Sequence, residues 1–169
     1  MVNVLFVCLG NICRSPTAEG ILERMVTQAG FSKDICIDSA GTSAYHIGQK
    51  ADIRSRQHAQ KRGYELRSRA RQFTTDDFNK FDMILTMDES NYFQVTSLSS
   101  NPMHTHKIHQ FMSFCPHYKN VFSNVPDPYY DGDKGFETVL DIIEEGCTEL
   151  LNQINLKESV SPSTLKQQT

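Results

Sequence analysis

The sequence predicts an α/β fold in which a parallel sheet is covered by helices on both faces. Three observations predict it. A β-rich apolar run opens the chain, strand-like segments then alternate with segments of helical period, and the last long segment carries a single apolar stripe. With 169 residues the chain is about one domain long. One domain is expected over residues 1–156, followed by a polar, frayed tail over 157–169.

Val2, Val4, Leu5, Phe6 and Val7 read as a first strand buried on both faces, which stops at Cys8. After a loop over residues 9–14, Ser15 suits an N-cap and Pro16 the first helical position. Ala18, Ile21, Leu22, Met25, Val26 and Ala29 then recur at helical spacing, and Gly30 supplies the stop. Residues 35–40 read as a second strand and 51–62 as a helix closed by Gly63. A turn of helix at 74–78 leads to a third strand at 82–87. Residues 88–98 read as helix, and 107–112 as a fourth strand between irregular segments at 99–106 and 113–124. Phe136, Val139, Leu140, Ile143, Cys147, Leu150, Leu151 and Ile154 mark the final helix. Right-handed crossovers leave few topologies for such an alternation, and sheets of this kind bind ligands beyond the carboxyl ends of their strands. Cys8 stands at that end of the first strand.

Composition narrows the function. Charged residues at 22% and apolar residues at 38%, with 9 Gly and 6 Pro, exclude a disordered, collagen-like or low-complexity chain. No run approaches the roughly 18 apolar residues of a membrane span, and Met1 leads into the first strand without a basic region or cleavage site. A cytoplasmic protein with no membrane partner is expected. The net charge of −3 offers nucleic acid no strong attraction. One segment is basic: Lys50, Arg54, Arg56, Lys61, Arg62, Arg67, Arg69 and Arg71 face only Asp52 and Glu65. It reads as a solvated helix face ahead of a docking patch for an acidic partner. Five cysteines at irregular spacing read as reduced thiols rather than a disulfide framework.

Chemistry concentrates in Cys8, Leu9, Gly10, Asn11, Ile12, Cys13, Arg14 and Ser15, a loop with a thiol at its start and a guanidinium at its end, running into a helix. Loop amides ahead of a helix N-terminus form a concavity for a tetrahedral oxyanion, and the helix dipole adds to the attraction. Gly10 and Asn11 tolerate the positive φ such a curl demands. Arg14 adds a fork for two phosphate oxygens, and the same field favours the thiolate form of Cys8. The Ser15 hydroxyl is placed to donate to that sulfur. Nucleotide-type Gly-x-x-x-x-Gly-Lys spacing is absent, and Arg14 with the amides supplies the positive charge that a metal provides elsewhere. Cys13 is either core filler or a second thiol able to bond reversibly with Cys8. Transfer of phosphoryl to sulfur also needs an acid. Asp127, held between Pro126 and Pro128 and followed by Tyr129 and Tyr130, is the choice; Asp131 and Asp133 read as turn formers.

These residues together resemble the low-molecular-weight protein tyrosine phosphatase family. The similarity runs from Val7 to Pro16 and continues through Asp38-Ser39-Ala40-Gly41-Thr42, Ala70-Arg71-Gln72, Met87-Asp88-Glu89-Ser90-Asn91 and Asp127-Pro128-Tyr129-Tyr130, over about residues 2–155. The resemblance implies a four-stranded, Rossmann-like parallel sheet with helices on both faces. It implies hydrolysis of phosphotyrosine and small aryl phosphates through a phosphocysteine, with no metal and no cofactor. By the same resemblance Cys8 is the nucleophile, Arg14 binds phosphate, Ser15 tunes the thiolate, and Asp127 is acid and then base. Asn11 braces the loop, Gly10, Ile12 and Cys13 contribute to the phosphate cup, and Leu9, Tyr45, Tyr129 and Tyr130 wall the aromatic ring. The implied partner is a phosphotyrosine protein or peptide, a tyrosine kinase among the candidates, and the chain is expected as a monomer or weak dimer in signalling.

Two departures stand out: Ala51 replaces a usual proline, and Ser68 stands where some members have a histidine that supports the loop asparagine. His104, His106, His109, Cys115 and His117 crowd the poorly matched stretch 99–124, where irregular spacing favours polar surface over a zinc site. Two alternative activities keep the same loop. A thiol-dependent arsenate reductase needs shuttle cysteines, yet none lies between Cys36 and Cys115. A non-hydrolytic phosphocysteine carrier leaves Asp127 without a task.

Overall fold

β1 (Val2–Cys8), β2 (Ile35–Gly41), β3 (Met83–Thr86) and β4 (Ile108–Gln110) form one sheet in the order β2-β1-β3-β4, with every pairing parallel. The computed structural model describes the backbone of residues 1–160 and the side chains of residues 1–155. β1 lies inside because its residues tolerate burial on both faces. Val4, Phe6 and Cys8 join the larger core with Ile21, Leu22 and Ile143, while Leu5 and Val7 join a second core with Phe73, Phe78, Ile84 and Val95. Full burial of such side chains contributes about 1.5–3 kcal/mol each.

Helices α1 (Arg14–Gln28) and α5 (Asp133–Val160) pack together on the first face. The second face is covered by α3 (Asp77–Lys80) and α4 (Glu89–Ser97), through Phe78 and Val95. The predicted fold class is therefore present, with shifted boundaries. α1 begins at Arg14 with Cys13 as N-cap, not at Pro16 behind a Ser15 cap, and Pro16 is its third residue. Proline is tolerated there because first-turn amides have no partner within the helix. The turn expected at 74–78 appears as α3, because the buried Asp77 carboxylate accepts the Thr74 amide at 2.9 Å and ends an extended approach. The fourth strand is half its predicted length, flanked by 3-10 turns at Pro102–Lys107 and Phe111–Phe114. The tail expected over 157–169 overlaps the last residues of α5 and otherwise lies outside the described residues. Among the described residues no helix is long and apolar enough to cross a membrane.

Helix α2 (Ile53–Lys61) lies beside α5, and here the basic segment differs from a plain solvated face. Arg62 reaches Asp141 at 2.8 Å, Glu144 at 3.0 Å and also Glu137. His58 is buried between Glu137 and Asp133 and stacks on Phe136. Arg71 bridges Asp38 and Asp77, and Arg67 pairs with Glu65. Much of the positive charge is thus spent on acidic side chains of the same chain.

Candidate active site

The order β2-β1-β3-β4 places the end of β1 between β2 and β3, where Cys8 pairs with Gly41 and Val7 with Thr86. There the loop over residues 9–13 folds back against the end of β2. Gly41 permits that approach: a Cβ on it would lie 2.7 Å from the Leu9 carbonyl oxygen and 3.1 Å from the Asn11 nitrogen. The curl needs one left-handed residue, Asn11 at φ 55°. Gly10, expected to share that role, does not. Its missing side chain instead makes room for His46, whose Cδ2 would lie 3.0 Å from a Cβ there.

Cys8 is 3% exposed, and its Sγ accepts the Asn11 amide at 3.3 Å and lies 3.0 Å from Ser15 Oγ. Asn11 is held by its whole side chain. Its Nδ2 donates to Ser15 Oγ at 2.8 Å and to Ser39 Oγ at 2.9 Å, while its Oδ1 accepts the Arg71 amide at 3.0 Å. Where the resemblance implies a supporting histidine, this chain has Ser68, and Asn11 is held by Ser39 and the backbone of residue 71. Ser15 lies inside α1 with its hydroxyl engaged by Cys8 and Asn11, and the N-cap residue, Cys13, makes no side-chain cap hydrogen bond. The first-turn amides are left for an anion.

Arg14 is buried beneath the pocket. Its Nη1 donates to Asp88 Oδ2 at 2.6 Å and to the Val125 carbonyl at 3.2 Å, and its Nη2 to Asp127 Oδ2 at 3.5 Å. Burial opposes its charge, but the Cys8 sulfur and Asp88 outweigh that and hold the guanidinium more firmly protonated than an ordinary arginine. Asp88, whose other oxygen caps α4 through the Asn91 amide at 2.7 Å, was missed by sequence reasoning. Its position just past β3, at the ligand-binding edge of the sheet, was the available signal.

A pocket of about 270 Å³ opens over the sulfur. Of the predicted residues, Cys8, Leu9, Gly10, Ile12, Cys13, Arg14, Tyr45, Asp127, Tyr129 and Tyr130 line it, joined by Ser43 and His46. Asn11 and Ser15 do not; they stand behind the wall as braces. Asp127 faces Arg14 across the opening, and its Oδ1 accepts the Tyr129 amide at 3.1 Å. Tyr129 and Tyr130 meet edge to face at 5.0 Å. Tyr129 is pinned by Arg54, which donates to its carbonyl at 3.0 Å and stacks 5.2 Å over its ring and 4.9 Å over Phe136. Arg54 is in turn held by Asp52, the N-cap of α2, and the Asp52 amide donates to the Ile12 carbonyl at 2.8 Å. Ala51, buried here, leaves that cap intact without the proline.

Cys13 packs with Ile12, Ala70 and Phe136. Burial pushes its thiol up to about 12, against a lowering hydrogen bond with Ser55, so this sulfur is a poor nucleophile. Both loop cysteines are free. In the stretch 99–124, His104 stacks on Phe78, His117 pairs with Glu145 at 2.5 Å, and Cys115 is buried against the Ile142 carbonyl. Among the described residues no three metal-ligating side chains gather.

The family model described as low molecular weight phosphotyrosine protein phosphatase matches residues 3–160. A Synechocystis protein provisionally named a low molecular weight protein-tyrosine-phosphatase is 44% identical over 160 residues, 95% of this chain and 100% of that one. The human low molecular weight phosphotyrosine protein phosphatase is 40% identical over 153 residues, 89% of this chain and 94% of its own length. A protein tyrosine phosphatase of Entamoeba histolytica, crystallised with Hepes in the active site, superposes with a TM-score of 0.89 at 39% identity. That match covers 94% of this chain and 99% of the other.

Proposed function

The chain belongs to the low molecular weight phosphotyrosine protein phosphatase family, and from that premise we propose that it hydrolyses phosphotyrosine through a phosphocysteine on Cys8. The observation that carries the mechanism is the sulfur at the floor of the pocket, with a buried guanidinium below and a carboxyl group across the opening. The Cys8 thiolate attacks phosphorus in line, forming the S–P bond as the P–O bond to the aryl group breaks. Asp127, entering as the acid, protonates the departing phenoxide. The loop amides and Arg14 hold the three equatorial oxygens, where charge redistributes. Asp127, now a carboxylate, takes a proton from water, which attacks phosphorus and releases the thiolate and inorganic phosphate.

Leu9, Ile12, Tyr45, Tyr129 and Tyr130 give the pocket an apolar wall that fits an aromatic leaving group better than an alkyl alcohol. The arsenate reductase reading lacks shuttle thiols. Cys36 pairs with Asn3 at the far end of β1, and Cys115 and Cys147 are buried with thiols pushed well up by burial. Steady-state hydrolysis of an aryl phosphate, with chelator present, tests the proposal. Wild type is expected to turn over, and Cys8→Ser to fall to background, a loss on the order of 10⁴-fold or more. Arsenate-dependent oxidation of a thiol donor, or one equivalent of phosphate released without turnover, would replace it with the respective alternative.

A further inference from the structure

Half of the cations between residues 50 and 71 are neutralised within the chain: Arg54 by Asp52, Arg62 by carboxylates of α5, Arg67 by Glu65, and Arg71 by Asp38 and Asp77. Among the described residues Lys50, Arg56, Lys61 and Arg69 meet no carboxylate. Lys61 stands at the far end of α2, but the other three gather. Lys50 and Arg69 lie directly opposite each other in an isolated antiparallel bridge. Arg56 folds back so that its Nε donates to the Ala51 carbonyl at 2.9 Å, one residue from Lys50. Opposed residues of an antiparallel pair share one face with Cβ atoms about 4.5–5.5 Å apart, where like charges repel. Asp52, the nearest carboxylate in sequence, is already engaged by the amide, Nε and Nη2 of Arg54. The bridge thus holds two exposed cations face to face without a counterion among the described residues.

This bridge is fixed to the wall of the pocket. His46, which lines the pocket, bonds through Nδ1 to Gln49 Oε1 at 3.0 Å, and its carbonyl accepts the Gln49 amide at 2.9 Å. The Gly48 amide donates to the Ala70 carbonyl and the Ala70 amide to the Gln49 carbonyl, each at 2.8 Å. Arg69 closes the unit by donating from Nη1 to the Gly48 carbonyl at 2.9 Å, a bond that takes one of its five donors. Gly48 follows His46 by two residues, a span of about 7 Å at most. At about 3.3 Å per residue, an extended peptide leaving the pocket reaches that point in two to three residues. Tyr45 and Ile47, at 81% and 59% exposure, leave this lip open to it. The segment that carries Tyr129 and Tyr130 runs instead into exposed Asp131 and Asp133, which repel acids.

We propose that Lys50 and Arg69, with Arg56 adding to their field, form a subsite for an acidic residue of the peptide substrate, two or three positions from the phosphotyrosine. The inference rests on the pocket over Cys8 being where the phosphotyrosine is held. A substrate carboxylate placed there supplies the counterion that the bridge lacks, so the subsite selects peptides by their flanking charge and leaves the chemistry at Cys8 untouched.

The test compares kcat/KM at low salt for phosphotyrosine peptides that carry a Glu-Glu pair two and three positions away, on the N-terminal or the C-terminal flank, with their Gln-Gln counterparts. Wild type is expected to favour Glu by about three- to tenfold on the flank that runs over Lys50. Lys50→Gln and Arg69→Gln should each remove part of that preference, and Lys50→Glu should abolish it. Lys50→Glu also sets opposite charges across the bridge, so its stability to urea should not fall below wild type. Hydrolysis of a small aryl phosphate, too short to reach the bridge, should be unchanged in all three variants. Binding of the same peptides to Cys8→Ser, followed by fluorescence anisotropy, reads the subsite without turnover. A wild type that fails to hydrolyse every peptide refutes the phosphatase reading, and the subsite is then judged by the Glu preference in binding alone. Equal values for Glu and Gln peptides on both flanks, a preference that persists in Lys50→Glu, or an equal loss on the aryl phosphate would overturn the proposal.

Discussion

Cys8, Asn11, Arg14 and Ser15 are each no more than 3% exposed, whereas across the same pocket the Asp127 side chain is 43% exposed and Tyr130 is 92% exposed. The buried wall is tied down from β2 by Ser39, from residue 71, from Asp52 and from Asp88. The open wall hangs from Val125, whose amide donates to the Met87 carbonyl at 2.9 Å, from buried Pro128, and from Arg54. The difference matches the two tasks that the proposed reaction assigns to these walls. Holding a dianion over a thiolate requires fixed dipoles away from water, where they act most strongly and need no reorganisation. Delivering and recovering a proton at a leaving group requires access for an aryl ring on one step and for water on the next.

If that division holds, a change on the open wall should damage chemistry and spare the fold. Asp127→Asn keeps the acceptor for the Tyr129 amide but cannot protonate a phenoxide. Turnover of aryl phosphates with poor leaving groups should fall by roughly 10²–10⁴-fold, and far less for activated esters. Stability, followed by denaturant unfolding, should stay within about 0.5 kcal/mol of wild type, as for other exposed substitutions. A leaving-group-independent loss would remove Asp127 from the acid role.

The matching change on the buried wall should damage both. Asn11→Ala removes three side-chain hydrogen bonds and forces φ 55° on a residue that resists it. A loss of about 2 kcal/mol in stability and on the order of 10²-fold in kcat is expected. Asn11→Gly separates the two causes, because it restores the backbone freedom and not the network. If Asn11→Gly recovers wild-type turnover, the network is dispensable and the contrast between the walls reduces to backbone strain.

Much of this contrast could be read from the chain alone. β1, the loop, α1 and α5 follow from apolar period and from the Cys8-to-Arg14 spacing, because each is decided by neighbours in sequence. The fixing contacts could not be read, since Asp88 meets Arg14 across 74 residues and Arg54 meets Tyr129 across 75. Glu19 was invisible for a different reason. On a helical wheel it is an ordinary acid, and only the packed position of β2 shows that its carboxyl has left water. The start of α1 differs because Ser15, a good cap by type, lies inside the helix with its hydroxyl turned to Cys8 and Asn11.

Burying Glu19 also carries a cost that pH exposes. Its carboxyl titrates near 7 in the fold against 4.5 for an ordinary glutamate, so between those values the folded chain holds a proton that the unfolded chain has released. Stability is therefore fully present below about pH 4.5 with respect to this group, and declines as pH rises through 7. The difference is at most about 3 kcal/mol. Glu19→Gln should flatten that part of the stability curve between pH 5 and 8, measured by urea unfolding. A wild-type slope that persists unchanged in the variant would assign it to other groups.

The smallest expected effect concerns how the open wall is hung. Arg54 holds Tyr129 by one hydrogen bond and by stacking between two rings, and its partner Asp52 is also the cap that meets Ile12. Arg54→Met keeps some of the packing and removes the charge and the donor. Asp52 retains its bond to the helix amide, so the buried wall should be undisturbed and Cys8 alkylation unchanged. What is lost is the orientation of Tyr129 and, through it, of Asp127. KM for aryl phosphates should rise and kcat fall, each by about two- to fivefold, in keeping with an exposed stacked cation worth about 0.5–1 kcal/mol. A change in Cys8 alkylation instead would mean that the two walls are one mechanical unit joined through Asp52 and Ile12.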